Sequence, residues 1–273
     1  MLEPDGEARA TIVYYHGFTN CPAQVRLAAE ELRKRGYRVF APRQPRMGRK
    51  DVLTKDLGDL EPAELTSFSD QVVDIAAGFG SPVYVVGLST GGLLAAWTAA
   101  TRDEVVRVVS AAPVVAPTGV PFPAVRLIVR FPHLIPNIYN WWNPKLRENL
   151  GESPYAYPGF PLRSIFRFMY LGVLLEGHKV RCTHELERAV LLSNPNDTAV
   201  RRDLGQRLVE RAFAGHATDL AETRIAKSLD WTHDFVDPAS PHGGSGEQVA
   251  DVFLTALGVA EAEGLCADEP LSA

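Results

Sequence analysis

One short stretch constrains this chain more than any other: Val85-Val86-Gly87-Leu88-Ser89-Thr90-Gly91-Gly92. An apolar run, Pro82 to Val86, leads into it, and a small-residue helical run, Leu93 to Ala100, leads out. Between them stands Gly-x-Ser-x-Gly. A strand that turns sharply into a helix leaves no room for side chains on either side of the turning residue, so glycines two before and two after Ser89 have a steric reason. Such a turn holds the serine strained and exposed at a helix start, where free backbone N–H groups gather. Ser89 is the candidate nucleophile. The plain alternative is a capping serine at an ordinary strand–helix turn.

A parallel sheet is what such an elbow needs around it, and the flanking pattern supplies one. Thr11 to Tyr15 and Tyr37 to Ala41 read as strands, with a helix over Pro22 to Arg35 between them that Gly36 stops. A second helix over Pro62 to Phe79, the strand Val83 to Val86, the elbow helix and a strand from Val105 follow. This β-α-β-α-β-α-β order predicts an α/β fold with a doubly wound, mostly parallel sheet. The rhythm resumes with Arg188 to Ser193, a helix over Ala199 to Phe213 capped by Asp197 or Thr198, and a last strand over Glu222 to Leu229. Ser245 opens a final amphipathic helix, and the acidic, small-residue end from Glu261 is expected to fray.

Residues 117–187 break the rhythm. They hold 9 of the 20 prolines and 11 of the 24 aromatics, and their 8 Lys/Arg exceed their 5 Asp/Glu in a chain of net charge −5. A segment this long inside a compact domain is too long for a plain loop. It is expected to form a mostly helical cap inserted into a core made of residues 1–116 and 188–273. Trp141 and Trp142 are its candidate pocket residues. Ordinary packing is the competing account of its aromatics.

A serine hydroxyl needs a base to take its proton, and the base needs an acid to fix its tautomer. Asp197 follows one late strand, and His233 follows the next. Nucleophile, acid, histidine is the order an open α/β sheet expects, each on a loop at the C-terminal edge. His242 also follows the last strand, but lies next to Gly243-Gly244 beyond two prolines, so His233 is preferred. Two N–H donors must meet the developing oxyanion. The backbone of Thr90 is one candidate and that of Phe18, in the loop after the first strand, the other. His16 is expected to anchor that loop.

At this point His16-Gly17-Phe18-Thr19, Arg35-Gly36-Tyr37, Ala41-Pro42 and Gly87 to Gly92 together resemble the α/β-hydrolase superfamily. The likeness is greatest to small bacterial carboxylesterases and monoacylglycerol lipases, and Tyr157 to Arg163 is similar to the stretch before their late cap helix. It spans about residues 10 to 257, strongly at the two motifs and loosely between them. It implies the α/β-hydrolase fold and a triad of Ser89, Asp197 and His233 cleaving carboxylic esters, with no cofactor. The chain departs from those relatives at Pro45-Arg46-Met47-Gly48, where they often carry Pro-Gly-His-Gly, and at Thr232-His233-Asp234, where Ser-Gly-His is frequent. Thioester cleavage or acyl transfer by the same triad, or ligand binding with an idle triad, are the alternatives.

Composition narrows the partners. A net charge of −5 without a basic run argues against nucleic acid, and a small ester is the expected partner. Oligomeric state is left open. Cys21, Cys182 and Cys266 are odd in number and widely spaced, which suits free thiols in a reducing compartment. The acidic N-terminus lacks the apolar run of a signal peptide, and no stretch of about 18 apolar residues exists to cross a membrane. A cytoplasmic location is expected. No HExxH pair or Cys–His spacing suits zinc, so no metal is expected.

Overall fold

A computed structural model of the protein describes residues 1–147, 155–262 and 264–271. In chain order it runs β1 (Thr11–Tyr15), α1 (Arg26–Lys34), β2 (Arg38–Phe40), α2 (Pro62–Ala77), β3 (Val83–Leu88), α3 (Thr90–Thr101) and β4 (Val105–Ala111). Then come α4 (Phe122–Arg130), β5 (Tyr139–Trp141), β6 (Gly159–Pro161) and α5 (Arg163–Glu176). The chain closes with β7 (Leu186–Ser193), α6 (Arg202–Phe213), β8 (Ala217–Ile225), α7 (Gly246–Ala256) and β9 (Cys266–Pro270).

Seven strands form one sheet in the order β2-β1-β3-β4-β7-β8-β9. Every neighbouring pair is parallel except β8 with β9. Side chains that alternate along each strand divide between two cores. Val13, Tyr15, Val83 and Val85 face one, beneath α2, α3, α5 and α6. Ile12, Tyr14, Tyr84 and Val86 face the other, beneath α1 and α7. Burial on both faces explains why these strands read as unbroken apolar runs. The doubly wound architecture is therefore the one the sequence predicts.

Local chemistry sets the helix starts. Pro62 occupies the first turn of α2, where its missing N–H costs nothing, and Glu61 and Glu64 form a reciprocal capping box. Ser245 and Gln248 do the same for α7, as expected of Ser245. Gly172 of α5 allows close approach to α3, because a Cβ there would press on Leu93 Cδ2 at 2.9 Å. Within residues 117–187, α5 thus lies among the helices covering one sheet face. The β5–β6 hairpin instead carries Phe160 onto Phe18, with ring centroids 4.9 Å apart.

Three expectations are corrected. The last strand is not Glu222 to Leu229: β8 ends at Ile225, and the tail expected to fray forms β9 antiparallel to it. Ion pairs add to the backbone ladder that holds that edge. Arg188 reaches both Asp219 and Asp268 and donates to the Ala256 carbonyl at 2.7 Å, and Arg224 meets Glu269 at 2.9 Å. The helix expected from Ala199 begins at Arg202, so neither Asp197 nor Thr198 caps it. Among the described residues no helix is long and apolar enough to cross a membrane.

Candidate active site

Ser89 stands between the end of β3 and the start of α3 with φ +61° and ψ −116°. This backbone costs an alanine-like residue on the order of 1–3 kcal/mol, so the surroundings must enforce it. The Ser89 N–H donates to the Ala111 carbonyl at 2.9 Å, and the Leu93 N–H to the Ser89 carbonyl at 3.1 Å. A Cβ on Gly87 would collide with the Gly91 carbonyl, and one on Gly91 with the Tyr15 carbonyl. Both motif glycines are thus required by close backbone approach. Ser89 is 8% exposed and lines a cavity of about 610 Å³.

The candidate acid and the candidate base come from adjacent loops at the same sheet edge. His233 Nδ1–H donates to Asp197 Oδ2 at 2.6 Å. The Asp197 side chain is 4% exposed, and its Oδ1 accepts the Ala199 N–H at 2.8 Å. Asn194 ties the two loops together: its amide donates to the carbonyls of Trp231 at 2.8 Å and Thr232 at 3.1 Å. Burial of the His233 ring disfavours its charge, but the Asp197 hydrogen bond and the charges of Asp197 and Asp234 outweigh that, so its pKa is raised above 6.5. His242 sits elsewhere. Its side chain is 58% exposed and 3.9 Å from Asp230, and its carbonyl accepts the Thr232 N–H at 3.0 Å.

The loop after β1 is held from below. The Gln44 N–H donates to His16 Nε2 at 3.2 Å, which places the proton on Nδ1, and Nδ1–H donates to the Gly17 carbonyl at 3.0 Å. Burial holds the His16 pKa down to about 4, so the ring is neutral and supplies one donor and one acceptor. Gln24 Oε1 accepts the Gly17 N–H at 2.8 Å. With both polar groups of Gly17 occupied, the peptide plane that carries the Phe18 N–H is fixed. Asn20 fastens this loop to the histidine loop by donating to Asp237 Oδ2 at 2.8 Å. Thr90 is the first residue of α3, where an N–H has no partner within the helix.

The cavity is lined by Phe18, Thr19, Ser89 and His233 together with the apolar side chains of Val114, Ile165 and Trp142. Trp142 packs on Phe160 at 4.6 Å between ring centroids and donates from Nε1 to Thr19 Oγ1 at 2.9 Å. Trp141 turns to Tyr139, 5.2 Å between centroids, and does not line the cavity. The structure thus brings Ser89, His233, Asp197, Phe18 and Trp142 together and leaves Trp141 and His242 outside. Sequence reasoning passed over Thr19, Gln24 and Asn194. Asn194 alone carried a signal, as part of the turn-forming run Asn194 to Asn196. Among the described residues no group of three or more His, Cys, Asp or Glu is placed to hold a metal ion.

Comparison with known proteins bears on the fold and the family. Residues 12–252 match the model of the Alpha/beta hydrolase family. The thermostable monoacylglycerol lipase of Bacillus sp. (strain H-257) is 31% identical over 104 residues, 36% of this chain and 38% of that relative's length. The chain thus matches well under half of that enzyme. The fold is similar to a soluble variant of monoglyceride lipase from Saccharomyces cerevisiae, with TM-score 0.60 and 15% identity over 86% of this chain and 82% of that one. It is also similar to the thioesterase domain from the curacin biosynthetic pathway, with TM-score 0.55 and 14% identity over 93% of each chain. These two show a shared fold. With the family model matched across the sheet and both site motifs, the chain belongs to the alpha/beta hydrolase family.

Proposed function

We propose that this protein is a serine hydrolase that cleaves carboxylic esters bearing an apolar acyl or aryl group. One observation carries the reading: a His233–Asp197 pair, hydrogen-bonded at 2.6 Å, opens on the same cavity as a serine held in a strained elbow. Ser89 attacks the ester carbonyl while His233 Nε2 takes its proton. Asp197 keeps the other ring nitrogen protonated and stabilises the cation that forms. The N–H groups of Phe18 and Thr90 receive the oxyanion. His233 then returns the proton to the leaving alcohol, and water, activated by the same base, releases the acyl group from Ser89. No cofactor enters these steps. In this reading residues 117–187 are the cap, which lines the cavity through Trp142, Tyr157 and Pro158. Phe18, Val114, Trp142 and Ile165 give the acyl group an apolar wall, which suits burial of a chain at about 0.8 kcal/mol per methylene.

The test is a fluorophosphonate probe followed by p-nitrophenyl esters from acetate to palmitate and matching acyl thioesters. Covalent labelling that Ser89→Ala abolishes, with turnover of esters above thioesters, is the expected result. A folded protein that does not label has an idle triad. Turnover confined to thioesters assigns the same machinery to the alternative substrate class.

A further inference from the structure

The cavity that opens on Ser89 has a lining of two chemical kinds. Val114 from the segment after β4, Val200 from the segment after β7 and Ile165 of α5 are apolar. The loops after β1 and β8 supply polar residues instead: Asn20, Thr232, Asp234, Asp237 and Ser240. These two loops touch, since Asn20 Nδ2–H donates to Asp237 Oδ2 at 2.8 Å. Of the described residues that line the cavity, none is Lys or Arg. The basic excess of residues 117–187 is therefore not what a substrate meets there.

Two carboxylates belong to the polar lining, and only one is already paired. Asp237 is 5% exposed, and besides Asn20 on Oδ2 it accepts the Ala239 N–H on Oδ1 at 2.9 Å. The Asp234 carboxylate has no hydrogen bond or ion pair with any described residue. Its backbone is nevertheless fixed. The Asp234 carbonyl accepts the Asp237 N–H at 3.0 Å, and Phe235 beside it stacks on Trp231 with ring centroids 5.6 Å apart. The Asp234 side chain is exposed, and the water it meets includes that of the cavity. Protein still crowds it: burial first, then the charges of Asp237 and Asp197, push its carboxyl above the ordinary aspartate value against the pull of His233. A carboxylate held among carboxylates with no cation beside it favours any positive charge that arrives.

The reaction itself says which half of the substrate would bring that charge. His233 returns its proton to the leaving oxygen, so the alcohol half of the ester lies against the histidine loop when the bond breaks. Asp234 directly follows His233 in that loop. We propose that Asp234 is a specificity-determining residue that selects esters whose alcohol carries a positive charge, while the apolar lining takes the acyl group. The proposal rests on the reading of Ser89 and His233 as nucleophile and base, and it names the alcohol that this reading leaves open. An alcohol bearing only hydroxyls would be served as well by an amide, which accepts a hydrogen bond without the cost of a crowded charge. A carboxylate is the better partner for a cation, and it turns an anionic alcohol away.

The experiment compares butyrylcholine with 3,3-dimethylbutyl butyrate, which has the same shape without the charge, and with glyceryl monobutyrate. It measures kcat/KM for each at pH 8, beside fluorophosphonate labelling of Ser89, in wild type, Asp234→Asn and Asp230→Asn. The readout is the ratio of kcat/KM for the charged ester to that for its neutral isostere, in which any effect of Asp234 on the His233 base cancels. Asp234→Asn keeps the shape of the side chain and breaks no hydrogen bond. It should lower the ratio about 5- to 30-fold, and salt at about 0.5 M should erode the wild-type ratio. The Asp230 side chain is 85% exposed and does not line the cavity, so Asp230→Asn should hold the ratio within about twofold. A ratio that Asp234→Asn leaves unmoved, or that Asp230→Asn lowers as much, would overturn charge selection while leaving Ser89 in place. An equal fall in all three esters would overturn it in favour of a role on His233, and a fall in glyceryl monobutyrate alone in favour of hydroxyl recognition. A folded wild-type protein that neither labels nor hydrolyses any of the esters overturns the Ser89 assignment and this proposal with it.

Discussion

Replacing Asp197 by asparagine tests the base with almost no change of shape. Two donors converge on the carboxylate: the Ala199 N–H on Oδ1 at 2.8 Å and His233 Nδ1–H on Oδ2 at 2.6 Å. Asparagine offers one acceptor and one NH2 group, so it cannot serve both. With its oxygen on Ala199, the NH2 faces His233 Nδ1 and drives the ring proton to Nε2. The base is then blocked on the nitrogen that must take the Ser89 proton. In a triad this tautomer change lowers kcat about 10⁴-fold, or about 5 kcal/mol of transition-state stabilisation at 1.36 kcal/mol per decade. Stability should fall far less, by about 1.5–3 kcal/mol for one hydrogen bond to a charged group. The assay is steady-state hydrolysis of p-nitrophenyl butyrate at pH 8, paired with a thermal melt. A folded Asp197→Asn protein within tenfold of wild-type kcat would show that His233 does not act through Asp197.

Further expectations follow from the same geometry. Because His233 must be neutral to act and its pKa is raised, kcat/KM should rise with pH through a midpoint above 6.5; in Asp197→Asn, with the raising partner gone and burial left, the midpoint should fall, and an unmoved midpoint counts against the pairing. The same shift makes the protonated ring a stabilising group, whose contribution is present below pH 6.5 and lost as pH rises through the folded pKa, which melts across pH 5 to 9 would show. His233→Ala should lower ester turnover by orders of magnitude, whereas His242→Ala, at an exposed side chain, should cost about tenfold or less; the reverse order would move the base to His242. Trp142→Ala should change the ratio of long to short ester hydrolysis and Trp141→Ala should not, because only Trp142 lines the cavity; equal scaling of all esters in both variants makes these rings structural.

What the sequence revealed and what it hid divide along a physical line. Ser89 was legible because its requirements are local: glycines at fixed offsets, a β-branched strand before and a small-residue helix after, all within one turn of chain. The order of Ser89, Asp197 and His233 was legible because a parallel sheet brings successive strand ends to one edge whatever the side chains between them. The strand β9 was not, since Cys266 to Pro270 has no apolar alternation and is held by Arg188 and Arg224 from other strands. Asn194, Gln24 and Thr19 were hidden for a related reason. Each is an ordinary polar residue whose role exists only through a partner elsewhere: Asn194 through carbonyls 37 and 38 residues away, Thr19 through a tryptophan 123 residues away. Period and propensity report what a residue does for its own element. Thr19 goes further, since its left-handed φ of +63° opposes the preference of a β-branched residue. A residue that contradicts its own propensity must be held by something distant, and here the Tyr157 N–H on its carbonyl and the Trp142 Nε1–H on its hydroxyl supply that hold.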